Sequence, residues 1–363
     1  MTQSTHLVSQ VDTEIAEFLA SRDPILAAIA DDAAAFTNFS RYLLSGGKRF
    51  RARFCIAGWQ ATSTGSEPHE ERAVLTLSAA LEVFHAAALV HDDIIDNSDT
   101  RRGMPASHIR FASVHSQGGF AGRADTFGRA GAILHGDLLL GWSDELVDSA
   151  LDLLDDRRRS RSTRAEFNRM RTEVTVGQYL DILEENAWPT VPESETLRRA
   201  ERVMTFKSAK YSVEAPLALG ALVAGASPEQ VDSLRRFGLP LGLAFQLRDD
   251  VLGVFGDAAV TGKPAGDDLR EGKRTVLVAL ARQGMSESRR AAFDRALGDP
   301  DLDDDAIGDL QRQIESSGAL ESAERSIESY TSDAIRALRS AELEPQAVAD
   351  LEELARLLTD RSA

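Results

Sequence analysis

Apolar residues recur at helical spacing through most of residues 8 to 360, and the pattern is that of a helical bundle, not of alternating strands and helices. Punctuation supports this. In ASPEQVDSLRRFG, Ser227 can cap a helix, Pro228 suits its first position, and Gln230 can complete a capping box. Pro189 and Pro192 end one helix before Ser194 or Thr196 starts another. No period of about 20 to 50 residues indicates a solenoid. Two glycine-rich stretches, 112 to 129 and 255 to 274, lack a sustained apolar face and are expected to be mobile loops acting as lids or binding segments.

Composition narrows the class. Apolar residues make up 43% of the 363-residue chain and charged residues 27%, in long mixtures of Ala, Leu, Glu and Arg that favour helices. The expectation is one all-α domain spanning 1–363. A formal charge of −17 argues against non-specific binding to nucleic acid or to an anionic membrane, while leaving room for an anionic substrate held by local cations or metals. Cys55 is the only cysteine, so there is no intrachain disulfide and no cysteine-rich zinc site, which fits a reducing, cytoplasmic setting. The N-terminus does not read as a signal peptide, and no run of about 18 apolar residues suggests a transmembrane segment.

Candidate chemistry begins at HDDIID, residues 91–96, directly after the apolar run ALEVFHAAALV. On a helix Asp92 and Asp96 share a face, about one turn apart along the axis. Carboxylates there repel unless a cation intervenes, and a hard ion such as Mg²⁺ prefers oxygen ligands and bridges them to phosphates. Arg101 and Arg102 follow at once, so anion-binding cations lie beside metal-binding carboxylates. FQLRDDVLGVFGD repeats the arrangement in the other half of the chain, with Gln246 one turn before Asp250 and with Asp249 beside it. Lysines recur nearby as Lys207, Lys210, Lys263 and Lys273. SGGKRFRARF adds Lys48, Arg49, Arg51 and Arg53 behind a Gly46–Gly47 hinge.

Taken in order, GGKRFR, LEVFHAAALVHDDIIDNSDTRRG, GAILHGDLLL, EVTVGQYLD, FKSAKYSVEAP, FQLRDDVLG and GKPAGDDLREGKRT resemble the trans-isoprenyl diphosphate synthases, the polyprenyl synthetase family. The resemblance implies an isoprenoid synthase-type bundle of long helices around a central cavity, a homodimer, and two aspartate-rich motifs facing each other. It implies Asp92, Asp96 and Asp249 as ligands of about three Mg²⁺ ions. Arg101, Lys207, Lys263 and Gln246 would hold the allylic diphosphate, and Lys48, Arg51, His85 and Arg102 the isopentenyl diphosphate. The activity implied is Mg-dependent head-to-tail condensation of isopentenyl diphosphate with dimethylallyl, geranyl or farnesyl diphosphate, a prenyltransferase step of isoprenoid and terpenoid biosynthesis. In the family, large residues four and five positions before the first motif block the product groove. Here they are Ala88 and Ala87, with Phe84 one turn deeper as a floor, which points to a geranylgeranyl (C20) product over longer polyprenyl or farnesyl chains. One departure stands out: the second motif reads D-D-x-x-G, with Gly253 where an aspartate is usual, and Asp257 or Asp268 is a candidate to assist through water. A class I terpene cyclase would need an Asn/Ser/Glu triad on a later helix. A non-catalytic regulatory subunit would have lost ligands that this chain retains.

Overall fold

The computed structural model describes residues 3–63, 65, 67–101, 103–256, 266–299 and 301–359. Among the described residues the chain is helical apart from one hairpin, Thr100–Arg101 (β1) paired antiparallel with Met104–Pro105 (β2). Its packing divides it into two compact units, Met1–Arg164 with Leu219–Ala226, and Ala165–Ala218 with Ser227–Ala363.

The first unit contains α1 (Gln3–Ala27), α2 (Ala34–Leu43), α3 (Phe50–Thr62), α4 (Pro68–Ile95), α5 (Ser107–Gln117) and α6 (Ala124–Asp152). α4 is its axis: α6 packs along it, and α1 and α3 flank it. Residues 73–84 of α4 are buried all round, as expected for a helix with no broad polar face. α4 is in fact long and apolar enough to cross a bilayer, a feature the reading of the sequence passed over. Of its most apolar window, 83% is buried inside the protein.

The stretch 112–129 is not a mobile loop. Its first part completes α5, its last part opens α6, and only 118–123 turns between them. Gly119 (φ 62°) and Gly122 (φ 100°) do turn the chain, whereas Gly128, and Gly131 just beyond the stretch, are contact points between helices. A Cβ at Gly131 would lie 2.7 Å from Cγ of Phe111, and one at Gly128 would lie 2.9 Å from Cβ of Ala112, so hydrogen at these positions lets α5 and α6 approach closely. Of 255–274, residues 257–265 lie outside the described residues, and Asp267–Glu271 form a short helix, α11.

The second unit holds most of α7 (Arg157–Ala187), α8 (Glu193–Val203) and the first residues of α9 (Ala215–Val223). It continues with α10 (Pro228–Phe255), α11, α12 (Val276–Gln283) and α13 (Glu287–Ala296). It ends with α14 (Asp304–Ser316), α15 (Ala319–Arg339) and α16 (Pro345–Thr359). The capping box expected at Ser227 and Gln230 is present. α8 starts at Glu193 with Pro192 at its N-cap, so neither Ser194 nor Thr196 caps it. Leu247, Val251 and Val254 of α10 form one buried cluster with Leu277, Phe293, Ile314 and Ile327.

Between α8 and α9 the chain runs as a π-helix, Met204–Glu214, a geometry that is rare and concentrates at functional sites. Two glycines make room for it. A Cβ at Gly177 of α7 would lie 2.7 Å from Cα of Lys207, and one at Gly242 of α10 would lie 2.8 Å from Cα of Ala209.

Candidate active site

In the first unit the HDDIID carboxylates sit where α4 ends. Asp96 is the C-cap, its N–H donating to the Asp92 carbonyl, and Asn97 turns the chain away with φ 56°. A left-handed asparagine is tolerated because its side chain bonds locally. Asp92 and Asp96 are half-buried, whereas Asp93, one position round the helix, points inward and is 2% exposed. A carboxylate so placed needs a cation. Arg101 supplies it, donating from Nε to Asp93 Oδ1 at 2.8 Å, with a guanidinium nitrogen 3.4 Å from Asp92 Oδ2. The hairpin that carries Arg101 turns through Gly103, φ 73°. Arg129 of α6 secures the same helix end, donating to the Ile94 carbonyl at 3.2 Å and to Asn97 Oδ1 at 2.6 Å.

Further back along α4, His85 and Ala88 are half-buried like Asp92, while Ala87 is 0% and Phe84 4% exposed. Small side chains and a histidine thus run away from the aspartates on one side of the helix, with the phenyl ring in the core. Lys48 is exposed and Arg51 half-buried at the start of α3. The loop before them is built by Gly46 (φ 69°), Gly47 (φ 90°) and the buried Arg49 (φ 51°). Arg49 donates to Asp12 of α1 at 2.9 Å, lies 3.4 Å from Glu82 of α4 and bonds the Leu44 carbonyl. Glu82 also accepts the N–H of Ala52 at 3.2 Å, satisfying one of the orphan donors at the start of α3. Arg49, grouped with the anion-binding cations by its neighbours, is therefore a structural pin that orients Lys48 and Arg51.

In the second unit Gln246, Asp249 and Asp250 lie within one turn of α10. Gln246 donates to Asp250 Oδ1 at 2.8 Å. Burial pushes the Asp250 carboxyl well above the usual carboxylate range; the Gln246 bond opposes this, and the charges of Asp268, Asp249 and Asp181 add to it. Asp249 is the more open of the pair. Lys207, on the π-helix, bonds Asp181 of α7 at 2.5 Å. Lys273 bonds Glu185 at 2.8 Å and lies 3.5 Å from the same Asp181. Lys210 pairs with Glu173 at 2.7 Å. Asp181 joins two cations and belongs to this group; its position in GQYLD, on the inner face of a long helix, was the only signal for it. Arg102, Lys263 and Asp257 lie outside the described residues.

The donor set is made of carboxylate oxygens, which suits Mg²⁺ over softer ions. Among the described residues no three His, Cys, Asp or Glu side chains form a ready metal cage.

Comparison with known proteins gives concordant results. Residues 33–314 match the family model described as Polyprenyl synthetase. A short chain isoprenyl diphosphate synthase from Methanocaldococcus jannaschii is 32% identical over 271 residues, covering 74% of this chain and 73% of that protein. A geranylfarnesyl diphosphate synthase from Aeropyrum pernix is 31% identical over 316 residues, covering 87% and 89%. The crystal structure of a geranylgeranyl pyrophosphate synthase from Corynebacterium glutamicum, complexed with isoprenyl diphosphate and magnesium, is 38% identical. It superposes with a TM-score of 0.90 over 98% of this chain and 99% of that one.

Proposed function

The chain belongs to the polyprenyl synthetase family and is a trans-prenyltransferase, and from that premise we propose that it makes geranylgeranyl diphosphate from isopentenyl diphosphate and a shorter allylic diphosphate. The observation that carries this reading is the side of α4 on which Asp92 and Asp96 lead through half-buried Ala88 and His85 towards buried Phe84. Small side chains leave space for a growing hydrocarbon next to the carboxylates, and a phenyl ring one turn deeper limits its length. The family's varied products make length the open variable, since the relatives above are named for short-chain, geranylfarnesyl and geranylgeranyl diphosphates.

In this reading Asp92, Asp96 and Asp249 hold about three Mg²⁺ ions, which when bound stabilise the charge of the departing diphosphate. Arg101, Lys207, Lys263 and Gln246 take the allylic diphosphate; Lys207 exchanges its present carboxylate partner for phosphate oxygens, while Arg101 keeps Asp93 and turns its outer nitrogen from Asp92 to phosphate. Lys48, Arg51, His85 and Arg102 hold isopentenyl diphosphate. The allylic C–O bond breaks with both electrons leaving on diphosphate, the isopentenyl double bond attacks the allylic carbon, and the released diphosphate takes up the proton lost in forming the new double bond. Apolar walls shield the cation from water. The two units act as one catalytic domain, and the enzyme works as a homodimer in the cytoplasm. The exposed Phe127 (40%), Ile133 (46%) and Leu134 (59%) of α6 support a self-association face.

The test is product analysis with Mg²⁺, labelled isopentenyl diphosphate and each allylic primer. A C20 product is expected, lengthening in Phe84→Ala. A product unchanged by Phe84→Ala would remove Phe84 as the floor, and absence of condensation with every primer would refute the catalytic reading.

A further inference from the structure

The π-helix Met204–Glu214 is tied to α7 by a row of ion pairs. Lys207 bonds Asp181, Lys210 bonds Glu173, and Glu214, the last residue of the π-helix, is joined to Glu166 through Arg235 of α10. Asp181, Glu173 and Glu166 recur about every two turns of α7, so they lie along one side of that helix.

The last link in the row is built differently from the others. Arg235 donates to Glu214 Oε1 at 2.8 Å and to Glu166 Oε2 at 2.7 Å, and Arg169 donates to the other oxygen of Glu166 at 2.6 Å. Both carboxylates are buried, Glu214 at 5% and Glu166 at 7% exposure. One planar guanidinium thus holds two carboxylates from two elements at once, which the point charge of an ammonium does not reproduce. The backbone of α10 closes on the same spot: a Cβ at Gly238 would lie 2.9 Å from Cα of Glu214. The end of the π-helix is therefore fixed by side chain and by backbone, and by groups that have no part in holding substrate or metal.

Bonding from i to i+5 is rare because the α-helical alternative is open to the same residues, so the wide turn has to be held from outside. The row of ion pairs does this, but in the reading above its Lys207 link opens when the diphosphate arrives. On these grounds we infer that Arg235 and Glu214 are positioning residues for the allylic diphosphate: they are the link that stays closed, and they keep the π-helix in register while Lys207 leaves Asp181 for phosphate oxygens. A cation carried on a backbone that does not move meets its ligand already oriented. The inference rests on the functional reading above and deepens it, since it concerns how Lys207 is presented.

Substitutions separate positioning from support of the fold. Glu214→Ala frees the end of the π-helix and leaves Arg235 paired with Glu166, so no buried charge is stranded. Glu214→Gln keeps an acceptor oxygen in front of Arg235. Arg169→Ala weakens the network on its outer side and leaves the bond between Arg235 and Glu214 in place. The readouts are KM for geranyl diphosphate, KM for isopentenyl diphosphate, and thermal melting. Glu214→Ala is expected to raise KM for geranyl diphosphate about tenfold or more with KM for isopentenyl diphosphate nearly unchanged, and Glu214→Gln to recover most of that loss. Arg169→Ala is expected to lower the melting temperature alone. Arg235→Lys keeps the charge without the two-way fork and is expected to show the same split between substrates, which provides the test in a folded protein should Glu214→Ala fail to fold. A KM for geranyl diphosphate at the parent value, a rise shared equally by both substrates, or a Gln variant no better than the Ala variant would overturn the inference. Product formation by the unsubstituted enzyme is assayed in parallel. An active synthase without the split refutes only the positioning role, whereas a chain that condenses nothing refutes the functional reading beneath it.

Discussion

At the scale of single residues, burial decides what each ionisable group can do. Asp92 and Asp93 are neighbours in HDDIID, yet the helix turns one toward the open face and the other into the protein, where Arg101 must neutralise it. The sequence marked Asp92 through its spacing to Asp96; Asp93 could be recognised only once its side was known to be the inner one. His135 follows the same logic without any charged partner. It is 0% exposed, with Ser40 Oγ 2.9 Å from one ring nitrogen and Ser107 Oγ 3.3 Å from the other. Burial lowers its pKa from 6.5 to about 4, with the charges of Arg110 and His91 acting in the same direction. Because the folded pKa lies below the unfolded one, the unfolded chain takes up the proton first. Stability is therefore full above pH 6.5 and drains as pH falls through the window from 6.5 to about 4. The loss from this group is on the order of 3 kcal/mol. His135→Gln, which keeps polar atoms beside the serines, is expected to flatten that acid slope in urea denaturation curves recorded across the window; parallel slopes in the two proteins would show that His135 is not the sensor.

At the scale of elements, the chain places its cations by controlling how closely backbones approach. Lys207 and Lys210 were legible as basic residues in FKSAKYS, but not the π-helix that carries them, because hydrogen bonding from i to i+5 leaves no distinct apolar period over eleven residues. Gly177 and Gly242 line that segment from two other helices. At Gly177 the atoms in the way are backbone, which cannot rotate aside. Gly177→Ala is therefore expected to lower unfolding free energy by about 1–3 kcal/mol and to raise KM for the allylic diphosphate as Lys207 shifts. Denaturant titration and steady-state kinetics measure the two effects, and wild-type values in both would show slack at this contact. Arg49 and Glu82 provide the counterpart in the first unit, fixing the start of α3 through three partners that lie far apart in sequence. The misread stretch 112–129 has the same cause: glycine serves helix crossings as well as turns, and only the neighbouring helix tells which.

At the scale of the whole molecule, a chain of net charge −17 repels its own copies, so any stable self-association must come from apolar surface. Phe127 and Leu134 are seven positions apart on α6, with Ile133 alongside, and all three are exposed. If this face joins two protomers, Leu134→Glu places a charge at its most exposed apolar position and is expected to shift the protein from dimer to monomer in sedimentation equilibrium, with helical content by circular dichroism unchanged. A variant that sediments as the parent does would exclude this face as the interface. The same scale governs α4, whose length and apolarity alone would suit a bilayer and whose burial shows that its apolar surface is covered by protein.

By itself the sequence determined the all-α class, the family, and most of the ionisable residues proposed for catalysis, because helical periodicity and acid pairs four apart are local properties written within one or two turns. Only the tertiary structure decided which of those residues face inward and which cations are structural pins. Those outcomes depend on what another element brings to within a few ångströms, and segments distant in the chain carry no local record of that approach.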